Sequence, residues 1–390
     1  MPDTPFPAPA MGEPYLLTPG PLTTDIRVKQ AMLRDWGSWD ADFRAMTASL
    51  CTQLVALAGQ GDDFACVPMQ GSGSYCVEAM LGTFVPRDGK VLVLANGAYG
   101  LRAAETLRVM GRAHTLIDKG DYMPPRGDEV GAALDADPAI THVIAIHCET
   151  SSGILNPVAE ISDAVAARGR KLLVDSMSAF GAVDMTGILY EAMVSSANKC
   201  IEGVPGFGFV IASKAALLAA KGNCHSLSLD VHAQWANMVK SGQWRYTPPT
   251  HVVAAFLEAL RLHAEEGGVA ARGARYRHNR DVMVAGMREL GFETLLKDRW
   301  LSPIIVTFFC PADPSFVFTR FYDLMKDRGF IIYPGKLTVV DSFRIGVIGR
   351  MDGHVMRRVV EAARDCLTEL GVTDAAPPAL ALAERAKLGQ

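Results

Sequence analysis

The sequence predicts an α/β fold, in which a mostly parallel sheet is covered by helices and followed by a smaller α+β domain. Two observations carry this. Apolar strand-like runs at 91–95, 142–147, 171–175 and 207–212 alternate with helix-like stretches at 99–110 and 157–168. Such alternation is the pattern of a parallel sheet buried on both faces. In addition, 390 residues are too many for one compact core, and 49% hydrophobic with 21% charged residues is an ordinary globular composition.

Taken in order, residues 1–14 are proline-rich and predicted to be a flexible N-terminal segment, and 15–265 form the large α/β domain. A long helical stretch at 252–290, broken near Gly267-Gly268, carries the chain into a small α+β domain at 266–373. There, 302–310, 330–333 and 342–348 read as strands, and 314–328 and 352–370 as the helices packed on them. Residues 374–390 are rich in alanine and proline and read as a loosely held tail. Ligands of such sheets bind outside the carboxyl ends of the strands.

Composition excludes several function classes. A net charge of −4 makes no electrostatic case for nucleic acid or an anionic membrane surface. No run of 18 apolar residues offers a membrane span, and the start Met1-Pro2-Asp3-Thr4-Pro5 lacks the pattern of a signal peptide. The eight cysteines are scattered without a Cys-x-x-Cys pair, which points to free thiols in a reducing cytoplasm rather than to metal or dithiol chemistry.

The chemistry gathers at the predicted strand ends. Asp175 closes the run Leu172-Leu173-Val174, and Lys199 follows 24 residues later, just before Gly203-Val204-Pro205-Gly206-Phe207-Gly208. A lysine that can form a Schiff base and an acid that can keep a pyridine nitrogen protonated suit pyridoxal 5'-phosphate. Gly71-Ser72-Gly73-Ser74 precedes a helical pattern and could cradle a phosphate with backbone N–H groups; a capped helix after a tight turn is an equally ordinary reading. Its third fingerprint glycine is replaced by Cys76, which disfavours a dinucleotide site. Tyr99, after the 91–95 strand, offers a flat ring for stacking. Arg344, inside an apolar strand pattern, needs an anion, either a substrate acid or a structural carboxylate. Trp244-Arg245-Tyr246-Thr247-Pro248-Pro249 reads as an extended segment that either reaches a ligand or links into the next helix.

With these runs in view, the chain resembles the fold-type I pyridoxal-phosphate-dependent transferases of the class V aminotransferase group. The resemblance covers roughly residues 16–370 and rests on Leu17-Thr18-Pro19-Gly20-Pro21, Trp39-Asp40-Ala41-Asp42-Phe43, Gly71-Ser72-Gly73-Ser74, His147-Cys148-Glu149-Thr150, residues 198–208, Ser226-Leu227-Ser228-Leu229-Asp230, residues 244–251 and Arg344-Ile345-Gly346. The full set is similar to the branch that moves the amino group of 2-aminoethylphosphonate to pyruvate in phosphonate catabolism. The resemblance implies that Lys199 carries the cofactor and that Asp175 pairs with its ring nitrogen. Ser72, Gly73 and Ser74 hold the phosphate, Tyr99 stacks on the ring, and Thr150 and Asn198 add polar contacts. In a homodimer with the active site at the interface, Thr247 and Trp244 reach the phosphate from the other subunit. Arg344 binds the acidic end of the substrate, and Gly20 lines the substrate side. Tyr99 departs from relatives that carry tryptophan there, and leaves stacking possible.

Three rivals are weighed against this. An alanine– or serine–glyoxylate (or pyruvate) aminotransferase shares much of the pattern. A desulfurase needs a reactive cysteine on a mobile loop, and no cysteine here clearly qualifies. A non-catalytic pyridoxal-phosphate sensor would usually carry an attached partner domain, whereas this chain spends its length on the two enzyme-like domains.

Overall fold

The computed structural model describes residues 6–335 and 340–388. Its centre is a seven-stranded sheet in the spatial order Phe64–Gln70, Phe207–Ser213, Ala192–Ser196, Lys171–Asp175, Ile140–Ile146, Lys90–Ala95 and Ala113–Asp118. Phe207–Ser213 runs antiparallel to both neighbours, and the remaining pairs are parallel. Every strand but that one therefore ends at the same edge of the sheet.

Side chains of the central strands alternate between two cores. Leu172 and Val174 join Val143 and Ala145 on one face, while Leu173 joins Ile144 on the other. This period of two, with apolar residues on both faces, is why the strands read as continuous hydrophobic runs. The predicted strands at 91–95, 142–147, 171–175 and 207–212 are all present. Three further strands were not predicted. Phe64–Gln70 carries Pro68 in its middle, tolerated because this strand is an edge with a single neighbour. Ala113–Asp118 is the opposite, largely exposed edge, and Ala192–Ser196 is buried despite its two serines.

The later half holds a three-stranded antiparallel sheet with Ser342–Gly346 between Ile305–Phe309 and Tyr333–Pro334. Phe292, Phe308, Phe321 and Phe343 fill its core, with the rings of Phe308 and Phe343 stacked at 5.7 Å. The predicted break in the long helical stretch is real: Thr250–Glu266 gives way to Gly268–Glu289 at Gly267, whose φ of +109° is a left-handed cap.

Both ends differ from the expectation. The tail forms a helix, Ala379–Leu388, that buries Ala381 and pairs Arg385 with Glu293 at 3.1 Å. Apolar contact and that ion pair hold what its composition marked as loose. At the start, residues 6–14 lack regular structure, yet the Phe6 N–H donates to Asp352 at 2.7 Å and Arg350 lies 3.8 Å over the Phe6 ring. Tyr15–Leu16 then pairs in parallel with Phe330–Ile331. The outermost residues of the two predicted terminal segments, 1–5 and 389–390, lie outside the described residues.

A buried charge network joins the two halves. Glu202, three residues after Lys199, has φ +64° and donates its N–H to the Lys199 carbonyl at 2.7 Å. Its carboxylate accepts from Arg275 at 2.7 Å and from the Tyr276 hydroxyl at 2.6 Å, and lies 3.5 Å from Arg272. Glu266 pairs with the same two arginines at 2.8 and 2.9 Å. Arg272 also donates to the Cys200 carbonyl, and Arg275 to those of Gly349 and Met351. The two arginines hold both carboxyls below their usual range, against the opposing effect of burial. Removing one partner of such a network strands the others as buried charges. Glu202→Ala is expected to cost about 3–5 kcal/mol, measured by urea denaturation of the cofactor-free protein; a midpoint equal to wild type would show that the network does not hold the halves together.

Candidate active site

The strand ends build one cavity. The loops after Gln70, Ala95, Ile146, Asp175 and Ser196 converge on a space of about 190 Å³ whose lining includes Gly73, Ser74, Tyr99, Thr150, Asp175 and Lys199. The predicted lysine and aspartate thus face the same space.

Lys199 is held from across the chain. Its Nζ donates to the Pro19 carbonyl at 2.7 Å and to the Gly20 carbonyl at 3.3 Å. Gly20 has φ +103°, and a Cβ there would lie 2.5 Å from the Asn198 carbonyl oxygen and 2.8 Å from Lys199 Cδ. Only a residue without a side chain lets this turn lie against the lysine. Asp175 is 6% exposed, and its Oδ1 accepts the Met177 N–H at 2.9 Å. Burial pushes its carboxyl up to about 6; the Glu149 charge adds to this, while the Met177 N–H and the Lys199 and Arg102 charges oppose it. His147, fully buried and hydrogen-bonded through Nδ1 to Ser176 Oγ at 3.0 Å, is pushed down to about 4 by the same desolvation.

Two helix starts face the cavity and are treated differently. Helix Ala98–Val109 is closed: the carboxylate of Glu149, wholly buried, accepts the N–H groups of Tyr99 at 3.0 Å and Gly100 at 3.3 Å, and Ser151 Oγ accepts that of Ala98 at 3.0 Å. Gly97 makes this approach possible. Its φ is +152°, and a Cβ would meet Ser151 Oγ and lie 2.6 Å from Glu149 Cγ. Helix Gly73–Phe84 is left open. Its N-cap residue Ser72 makes no side-chain capping bond, and its carbonyl takes the Tyr75 N–H at 3.0 Å, so the N–H groups of Gly73 and Ser74 and the positive end of the dipole are left for the cavity that these two residues line.

Arg344 is 1% exposed. It donates through Nε to the Pro334 carbonyl at 3.0 Å and through Nη1 to the Thr150 carbonyl at 2.9 Å, and lies 5.5 Å from the Tyr333 ring centre. Among the described residues it has no carboxylate partner, so of the two readings open in the sequence the structural ion pair is absent. Burial lowers its pKa.

Arg344 and Gly20 touch the lining residues Thr150 and Lys199 without lining the cavity themselves, and other candidates also fall outside the lining. Ser72 is the exposed N-cap itself, and Asn198 accepts from Ser196 Oγ at 3.1 Å through its own side-chain oxygen. Thr247 is exposed, and its carbonyl accepts from Gln70 at 3.1 Å. Trp244 is a correction. Its indole is buried in the core of its own chain, edge-on to Phe207 at 5.8 Å, with its N–H donated to Thr47 at 3.1 Å. A large ring whose single donor is satisfied inside has no reason to reach another subunit's phosphate. Sequence reasoning missed Glu149, Met177 and Arg102. Glu149 stood in a quoted run, and Arg102 lies three residues after Tyr99 on the same helix face.

These residues fit pyridoxal phosphate. The open helix start suits a phosphate, the buried Asp175 carboxylate suits a protonated ring nitrogen, and the Lys199 amine suits an aldehyde. The raised Asp175 carboxyl has a consequence for the protein without cofactor. A carboxyl that titrates higher in the folded than in the unfolded chain takes stability away as pH rises from about 4 through 6. Cofactor-free Asp175→Asn is therefore expected to be more stable than wild type at pH 8, by roughly 2–3 kcal/mol, and to converge with it near pH 4. Thermal unfolding across that range checks it; a difference independent of pH would contradict the assignment.

Comparison with known proteins agrees with this geometry. The aminotransferase class-V family model matches residues 89–314. A 2-aminoethylphosphonate–pyruvate transaminase of Rhizobium meliloti is 75% identical, with 97% of this chain and all of that protein covered. One from Pseudomonas fluorescens is 52% identical over 94% of this chain and 100% of its own length. Among solved structures, ureidoglycine-glyoxylate aminotransferase of Bacillus subtilis superimposes with a TM-score of 0.85 at 18% identity, covering 99% of both chains. Pyridoxamine-pyruvate aminotransferase of Mesorhizobium loti gives 0.83 at 21% identity over 98% of both. Sequence match, sheet order and the lysine–aspartate cavity coincide, and the chain belongs to the class-V aminotransferases.

Proposed function

We propose that this chain moves the amino group of 2-aminoethylphosphonate to pyruvate, giving phosphonoacetaldehyde and alanine, with pyridoxal phosphate as cofactor. The observation that carries it is the buried Arg344, a cation without a carboxylate partner among the described residues, tied to Thr150 at the edge of the cavity that holds Lys199 and Asp175. Its planar fork can take a phosphonate in one half-reaction and a carboxylate in the other. The relatives that share 52–75% of this sequence carry that activity in their names. The glyoxylate-using neighbours, at about a fifth identity, share the fold alone.

When bound, the cofactor supplies an aldehyde that exchanges amino groups and a ring that accepts the electron pair left on the substrate carbon. The chain does the rest. Lys199 Nζ would hold the aldehyde end of the cofactor, and the substrate amine would free it. The freed amine then takes the proton from the substrate carbon next to nitrogen. Asp175 holds a proton at the pyridine nitrogen, and burial keeps water from competing for that carboxylate. The carbonyls of Pro19 and Gly20 orient Nζ. Arg344 would fix the acidic end of either substrate, and Tyr99 would stack on the ring. In a homodimer, Thr247 reaches the partner's phosphate site, which accounts for an exposed residue beside Gln70 at the mouth of the phosphate loop. The reading places the enzyme in the cytoplasm, in keeping with eight cysteines that are all free thiols.

Spectra, donor comparison and two variants test it. Purified protein should lose its visible Schiff-base absorbance when 2-aminoethylphosphonate is added, and should turn over this donor with pyruvate faster than it does alanine or serine with glyoxylate; the reverse order would move the assignment to a glyoxylate aminotransferase. Lys199→Ala should abolish the absorbance and lower turnover by roughly 1,000-fold or more, and Arg344→Lys should raise KM for both substrates by about 10–100-fold with a smaller change in kcat.

A further inference from the structure

We propose that Arg102 is a phosphate-binding residue, whose guanidinium joins the open start of helix Gly73–Phe84 and the Ser74 hydroxyl in holding the phosphate of the cofactor. This rests on the cofactor in the proposed function and not on the choice of amino donor.

Charge makes the case. A phosphate monoester carries about −1.5 to −2 near neutral pH, and a helix start offers the equivalent of only about half a positive charge. Ser74 is neutral, and Glu78, one turn further along the same helix, adds a negative charge to the cavity lining. Among the described residues that line the cavity, the cations are Lys199 and Arg102, and the Lys199 nitrogen is committed to the aldehyde end. Arg102 is left to balance the phosphate.

Geometry agrees. The Arg102 Nη1 donates to Ser74 Oγ at 3.4 Å, a long bond that an oxygen anion between the two can replace. The guanidinium lies 5.0 Å from the Tyr99 ring centre, so stacking pre-orders it before any ligand arrives. Tyr99 and Arg102 stand three residues apart on helix Ala98–Val109, and therefore on one face. A single helix thus presents both the ring that covers the cofactor and the cation that neutralises its phosphate. Among the described residues Arg102 forms no ion pair that would compete for it.

The test compares pyridoxal phosphate with pyridoxal, which has the aldehyde and ring but no phosphate. Cofactor-free wild type, Arg102→Ala and Arg102→Lys are titrated with each, following Schiff-base absorbance and intrinsic fluorescence. Arg102→Ala is expected to bind pyridoxal phosphate roughly 10- to 100-fold more weakly and pyridoxal as wild type does. Arg102→Lys is expected to recover part of the loss. The unfolding temperature of the cofactor-free variants should match wild type, as befits an exposed position. Equal weakening toward both ligands would make Arg102 a support for Tyr99 alone and overturn the proposal, as would unchanged affinity for pyridoxal phosphate. Wild type that bound neither ligand would overturn the cofactor reading and this proposal together.

Discussion

The fixed position of one amine governs this structure. Lys199 sits where three parts of the chain must meet. The antiparallel pairing of Ala192–Ser196 with Phe207–Ser213 leaves residues 197–206 to turn outside the sheet edge. The N-terminal Pro19-Gly20 turn presses carbonyls onto Nζ, and the buried Glu202 locks the following loop to Arg272 and Arg275 of the long helix. Each contact is long-range in sequence. The N-terminal turn is itself anchored on the later half through Tyr15–Leu16 and Phe330–Ile331. The site is therefore a property of the whole chain, although most of its side chains come from the first half.

The two helix starts show how the same backbone end serves opposite purposes. Glu149 fills the start of Ala98–Val109 with an internal anion and so fixes Tyr99 against the cavity wall. Burial raises its pKa, while hydrogen bonds from four donors, three backbone N–H groups and the Ser151 hydroxyl, stabilise its charge. The N-cap of helix Gly73–Phe84 makes no side-chain capping bond. An uncapped start costs about 1 kcal/mol relative to a good side-chain cap, a cost that the phosphate of the proposed function would offset.

What was legible in the sequence follows the same physics. Strands buried on both faces announce themselves as apolar runs, so the ends that carry Tyr99, Thr150 and Asp175 could be found without coordinates. The edge strands could not, because Pro68 and the exposed face of Ala113–Asp118 break the pattern. Lys199 stood out by its spacing from Asp175 and by the glycines after it. Trp244 misled, since its neighbours in sequence, Arg245 and Thr247, are at the surface while its own ring turns inward to Phe207. Glu149 stood in a motif and Arg102 one turn after Tyr99, yet neither residue type signals a role by itself: an acid in a polar turn and an arginine on an exposed helix are common, and only the meeting of separate strand ends gives them partners.

The site is also held ready at a cost. Asp175 is a buried carboxyl with one backbone donor, and Arg344 a buried guanidinium bonded only to neutral carbonyls and an aromatic face. Neither would be chosen for stability, because an isolated charge loses more by desolvation than a neutral partner returns. The two do not pair with each other, although opposite charges in a low dielectric attract strongly. They stand on different elements, Asp175 at the end of strand Lys171–Asp175 in one sheet and Arg344 in strand Ser342–Gly346 of another. In the proposed function, cofactor and substrate would each bring the charge that one of these groups lacks, a pyridinium proton for Asp175 and an acid for Arg344, so that binding would offset the desolvation that folding imposes on both.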